Sequence, residues 1–170
     1  MNFKTFHKIL TILPLTRSFC LTLALMLLAS SCENRKNDVI PDTYVDFTMD
    51  ISGDILFSSL AGIGNSVIVN AQTNNWGYRA AGYDNNGIII YRASLDYQPE
   101  FYAYDRTCPH DYAENDLSVK VNVDFMEAIC PQCSTRYSLQ VGGTPVSGPG
   151  RYPLKNYKTS FDGRFLRVWN

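Results

Sequence analysis

From Tyr44 to the C-terminus, apolar residues recur at every second position far more often than at every third or fourth. Val45, Phe47, Met49 and Ile51 alternate with polar neighbours, as a strand buried on one face requires. Val119, Val121, Val123 and Phe125 alternate in the same way, and Phe165, Arg167 and Trp169 mark a last strand behind an Asp162-Gly163 turn. Residues 67–69 and 87–91 are short β-branched runs bounded by Asn and Gly. Asp84-Asn85-Asn86-Gly87 is a strong turn signal, because Asn and Gly tolerate positive φ. Only residues 55–61 read as a short helix, ended by Gly62 and Gly64. This patterning predicts an all-β domain, a small antiparallel sandwich or barrel.

The chain has 170 residues, enough for one domain behind a targeting segment but too few for separate cofactor and substrate modules. With 18% charged and 13% aromatic residues it is not compositionally disordered. A net charge of -1 gives no electrostatic reason to expect nucleic acid as a partner.

Lys4, Lys8 and Arg17 precede any acidic residue, and residues 19–28 form an apolar run of about ten. A bilayer-spanning helix needs roughly 20 residues, so the run fits the core of a secretory signal instead. It ends in Leu28-Ala29-Ser30-Ser31-Cys32, which resembles the lipobox of bacterial lipoproteins, with Ala29 where that family usually has Leu. The resemblance implies cleavage before Cys32, lipid on its thiol, and a location at the bacterial cell envelope. Residues 1–31 are then the signal peptide, 32–43 a polar tether and 44–170 the folded domain. Without the signal, 12 basic residues face 16 acidic ones and the net charge falls from -1 to -4. The membrane partner would be reached through lipid, not through a basic patch.

Of the five Cys and two His, Cys20, Cys32 and His7 lie outside the domain. The remaining four form two motifs, Cys108-Pro109-His110 and Cys130-Pro131-Gln132-Cys133. Each follows a strand-like run, residues 101–105 and 128–129, so two loops from neighbouring strands can face each other across one metal centre. Ligands one or two residues apart on a tight turn reach the same centre, and Pro109 and Pro131 stiffen those turns. Thiolates select Zn(II), Cu(I) or iron–sulfur clusters, and imidazole suits Zn and Fe.

These motifs, with Gly148-Pro149-Gly150, Pro153-Leu154 and the strand-like residues 156–160, resemble the Rieske iron–sulfur domain over residues 101–170. The resemblance implies an ISP-type Rieske-like fold and a [2Fe-2S] cluster passing one electron at a time. By that correspondence Cys108 and Cys130 hold the inner iron, and His110 and Cys133 the outer one. Thr135 falls where the family has a hydroxyl bonded to a cysteine sulfur, Tyr137 where an aromatic packs nearby, and Pro149 in the family's proline loop. Cys133 stands in place of the second histidine of a His-pair Rieske centre. Ala113 and Gln132 occupy the positions of a disulfide found in some relatives. Rieske oxygenases carry a further mononuclear-iron domain, for which the chain has neither length nor ligands. The expected role is an electron carrier or redox subunit with a partner protein, not an enzyme.

Two other occupancies stay open from the residues alone. Cys108, His110, Cys130 and Cys133 form a satisfactory Zn set, and a metal-free domain would leave a disulfide and one odd thiol in the oxidising envelope. Either makes the domain a binding or structural module. Thiol–disulfide exchange at Cys130 and Cys133 expects a helix after the motif, whereas residues 134–139 alternate like a strand. Asp111, Glu114 and Asp116 read as a solvated acidic loop, and Trp76 as a core anchor.

Overall fold

In the computed structural model residues 39–93 and 100–170 are described. The signal segment, Cys32 and the tether through residue 38 lie outside them. Among the described residues ten strands follow in order: β1 Asp46–Asp50, β2 Ser66–Val69, β3 Ile88–Arg92, β4 Phe101–Asp105, β5 Asn122–Asp124, β6 Glu127–Ile129, β7 Arg136–Ser138, β8 Thr144–Ser147, β9 Asn156–Phe161 and β10 Phe165–Trp169. They build a six-stranded sheet, β1-β10-β9-β4-β3-β2, and a four-stranded sheet, β5-β6-β7-β8. Every pair is antiparallel. The all-β reading of the alternation is therefore correct.

At β3 and β4 the larger sheet is covered on both faces. Along β3, Ile88 and Ile90 enter one core with Phe47, Leu60 and Leu166, while Ile89 and Tyr91 enter a second with Cys108, Cys130, Tyr137 and Leu154. That is why the run Ile88-Ile89-Ile90-Tyr91 does not alternate: neither face meets water, and each such side chain contributes about 1.5–3 kcal/mol by its burial. Tyr104 on β4 spans the second core, and its hydroxyl donates to the Leu139 carbonyl at 2.6 Å. Trp76 stacks on Phe47 and Phe57, ring centroids 4.8 and 5.8 Å away, in the anchoring role its sequence context suggests.

Local departures have local causes. Residues Ile55–Ala61 are helical, as predicted, but of the 3-10 kind, with the Asp54 side chain accepting the Leu56 amide at 3.0 Å. Phe125 does not continue the alternation of Val119, Val121 and Val123; it sits at φ +52 in the turn between β5 and β6 and is exposed. Ile40, assigned to the tether, is buried, and the Lys155 ammonium holds this stretch by donating to the Ile40 carbonyl at 2.9 Å and to Asp42 at 2.6 Å. A helix not anticipated, α1 (Pro109–Asn115), occupies the first cysteine motif. Among the described residues no helix is long and apolar enough to cross a membrane.

Candidate metal centre

The first loop leaves β4 and is fixed before it reaches its cysteine. Val121 donates to Arg106 and Cys108 to the Val119 carbonyl, each at 2.8 Å, and Thr107 bridges to Lys120. Cys108 caps α1 and Pro109 opens it, where a missing amide proton costs nothing. The expected tight turn is thus the start of a helix, and the helix changes which neighbours converge. Each residue turns about 100° around the axis, so Cys108 and Asp111, three apart, share a side while His110 is carried away.

The second loop joins β6 to β7. Cys130 donates its amide to the Thr135 carbonyl at 2.9 Å, Ser134 donates to the Cys130 carbonyl at 3.0 Å, and Ser134 takes φ +61 to close the turn. No helix follows Cys133, so the context of a thiol–disulfide exchanger is missing here. A third loop lies against this one. A Cβ on Gly148 would stand 2.7 Å from Thr135 Cα, and one on Gly150 would stand 2.5 Å from Thr135 Cγ2. The Gly150 amide donates to Thr135 Oγ1 at 3.0 Å. Pro149, between the two glycines, is exposed.

Cys108, Asp111, Cys130 and Cys133 each bring one ligand atom into a group whose members all lie within 4.8 Å of one another. Cys108 and Cys133 sulfurs are 3.7 Å apart, and the Cys130 thiol donates to Asp111 Oδ2 at 2.8 Å. The three cysteines are free thiols, since a disulfide bond is about 2.0 Å long. Cys108, Cys130 and Asp111 are buried and Cys133 is half-buried. Tyr137 Oη lies 3.2 Å from Cys108 Sγ, and Cys133 Sγ lies 3.2 Å from Thr135 Oγ1.

These contacts set the proton affinities. The Cys130 thiol beside Cys108 brings Cys108 down to about 7 against the opposing effect of burial, with Tyr137 assisting. Cys130 is pushed up by Cys108, by burial and by Asp111. Burial raises Cys133. Burial also raises Tyr137, reinforced by Cys108, so its hydroxyl stays protonated and able to donate to sulfur. Burial acts to raise Asp111, but hydrogen bonds from Cys130, Cys108 and Cys133 outweigh it and hold the carboxyl below the usual range.

The structure therefore gathers three of the four expected ligands, with Thr135 and Tyr137 beside their sulfurs. His110 is half-buried and outside the group, and Asp111 is inside it. The solvated acidic loop expected at Asp111, Glu114 and Asp116 holds for the exposed Glu114 and Asp116 but not for Asp111, which is 1% exposed. The overlooked signal was helical spacing: a cysteine before proline, then an acid three positions on.

No family model matches the chain, and no curated protein does. Solved structures of ferredoxins do. The ferredoxin of carbazole 1,9a-dioxygenase from Nocardioides aromaticivorans IC177 is 16% identical over 75% of this chain and 97% of its own, with a TM-score of 0.41. A complex of reduced oxygenase and oxidized ferredoxin in carbazole 1,9a-dioxygenase gives 17% identity, 73% and 93% coverage, and a TM-score of 0.43. A Sphingomonas yanoikuyae B1 ferredoxin gives 14% identity, 66% and 93% coverage, and a TM-score of 0.40. Scores this low describe shared outline only, and the chemistry of the site has to be read from its own side chains.

Proposed function

We propose that this is a lipid-anchored bacterial envelope protein whose Rieske-like domain carries electrons through a [2Fe-2S] centre held by Cys108, Cys130 and Cys133. The observation that carries the reading is the convergence of three cysteine sulfurs from two loops. The donors fit in kind, because thiolates select iron–sulfur clusters among few other metals. Cys108 comes from the first loop and Cys130 and Cys133 from the second, so the thiols reach the group from two sides.

Such a centre, when bound, supplies one-electron redox chemistry. The chain's own residues exclude water and adjust the sulfurs. Tyr104, Val121, Ala128, Leu139 and Leu154 wall the site on its inner side. The Tyr137 and Thr135 hydroxyls stand at 3.2 Å from Cys108 and Cys133, where donation to a thiolate stabilises its negative charge. Cys133 is the half-buried member, so exchange with a partner protein would take place on its side. The lipid on Cys32 would keep that exchange at a membrane.

A single Zn(II) in a structural role is the second reading, and the spacing favours it. Metal–sulfur bonds of about 2.3 Å in a tetrahedron put sulfurs about 3.8 Å apart, and Cys108 and Cys133 are separated by 3.7 Å within a group spanning 4.8 Å. The full chain, purified anaerobically in detergent, decides between them. About two iron and two sulfide per chain, with an EPR signal on reduction, supports the carrier. One zinc per chain supports the structural module, and no metal at all overturns both.

A further inference from the structure

We infer that Asp111, not His110, supplies the fourth ligand of this centre. The inference rests on the metal–thiolate reading above and holds for either occupant. Its basis is geometric: a buried carboxyl aimed into a group of thiols, with no cationic side chain paired to it among the described residues. Asp111 is 1% exposed, and among the described residues it forms no ion pair with a lysine or arginine. Its side chain meets thiols, with Cys130 at 2.8 Å.

The domain contains its own control. Asp105 is also buried, but its two oxygens accept from the Tyr83 amide at 2.7 Å, the Tyr157 hydroxyl at 2.7 Å and the Thr107 amide at 2.9 Å. That carboxylate is satisfied by strong donors and needs no cation. Asp111 has only weak sulfur donors, and buried charges in proteins are paired or coordinate metals. Zn accepts carboxylate oxygen as well as thiolate sulfur.

Helix geometry points the same way. Starting α1 at Pro109 turns Asp111 toward Cys108 and His110 away from it. To bring His110 in, the first turn of α1 would have to unwind, and with it the Tyr112 amide bond to the Cys108 carbonyl at 3.2 Å.

The test measures metal and sulfide per chain in the full-length protein and in His110→Ala, Asp111→Asn and Asp111→Cys, together with Co(II) titration spectra and far-UV circular dichroism. The expected result is wild-type metal content in His110→Ala and an affinity loss of at least about tenfold in Asp111→Asn. In Asp111→Cys, retained binding with stronger thiolate-to-Co(II) absorption is expected, since four thiolates replace three. This holds even if Asp111→Asn fails to fold. Loss of metal in His110→Ala, or an unchanged Co(II) spectrum in Asp111→Cys, overturns the assignment while leaving the metal centre standing. A wild-type chain that takes up neither iron, zinc nor Co(II) overturns the metal–thiolate reading and the assignment with it.

Discussion

The Cys130 thiol donates to Asp111 Oδ2 at 2.8 Å across 19 residues of chain, tying the helix that begins the first loop to the hairpin that makes the second. Without a metal this is the bond that meets a buried carboxylate. Cys130→Ala should destabilise the metal-free domain by about 2 kcal/mol, since a hydrogen bond to a charged group is lost and the charge stays. Adding Asp111→Asn to that variant should recover part of the loss, and urea unfolding in chelator checks both. Strictly additive losses would contradict the pairing.

Two glycines in left-handed conformations separate strain from contact. Gly142 has φ +62 and open space around its Cβ position, whereas Gly148 has φ +88 and the Thr135 backbone at 2.7 Å. Gly142→Ala should cost about 1–2 kcal/mol, the left-handed penalty alone. Gly148→Ala should cost more than that and also weaken metal binding, because Thr135 carries the hairpin that holds Cys133. Equal effects on metal content would count against the three-loop arrangement.

Alkali should unfold the domain through its tyrosines. Burial raises Tyr104, Tyr137 and Tyr157, with Tyr102, Cys108 and Asp105 respectively adding to it. An acid whose folded pKa is raised leaves stability intact below its unfolded pKa of about 10 and erodes it as pH rises above that. In a phenolate titration at 295 nm these three should ionise only with the loss of circular dichroism. Reversible ionisation of all tyrosines in the folded chain would refute their burial.

If the centre is [2Fe-2S], three thiolates and a carboxylate carry more negative charge than two cysteines and two imidazoles. Its potential should lie below the roughly -150 to +300 mV of His-ligated centres. Tyr137→Phe, which removes the hydroxyl 3.2 Å from Cys108 Sγ, should lower it further. Protein-film voltammetry reads both, and a potential above roughly +100 mV would contradict this ligand set.

The fold was legible wherever one face of a strand meets water. β1 and β10 show it, since Phe47 and Met49 face Leu166 and Val168 across their ladder. Legibility ended where local geometry replaced periodicity. Phe125 keeps the alternation in sequence but lies in a turn, because a three-residue strand stops before it. The cysteines were legible as a site because every domain Cys belongs to one of two motifs. The place of Asp111 beside the thiols was not legible: an extended turn would bring His110 next to Cys108, whereas on a helix the residue three positions on shares its side.

β3 is a partition wall. Its even-numbered isoleucines belong to one room and Ile89 and Tyr91 to the other, and only the second room contains the cysteines. Whatever the second room holds, the first is furnished independently by Phe47, Phe57, Leu60, Leu166 and Val168. A change of side chain in the cysteine room therefore removes no packing partner from the room on the other side of the wall.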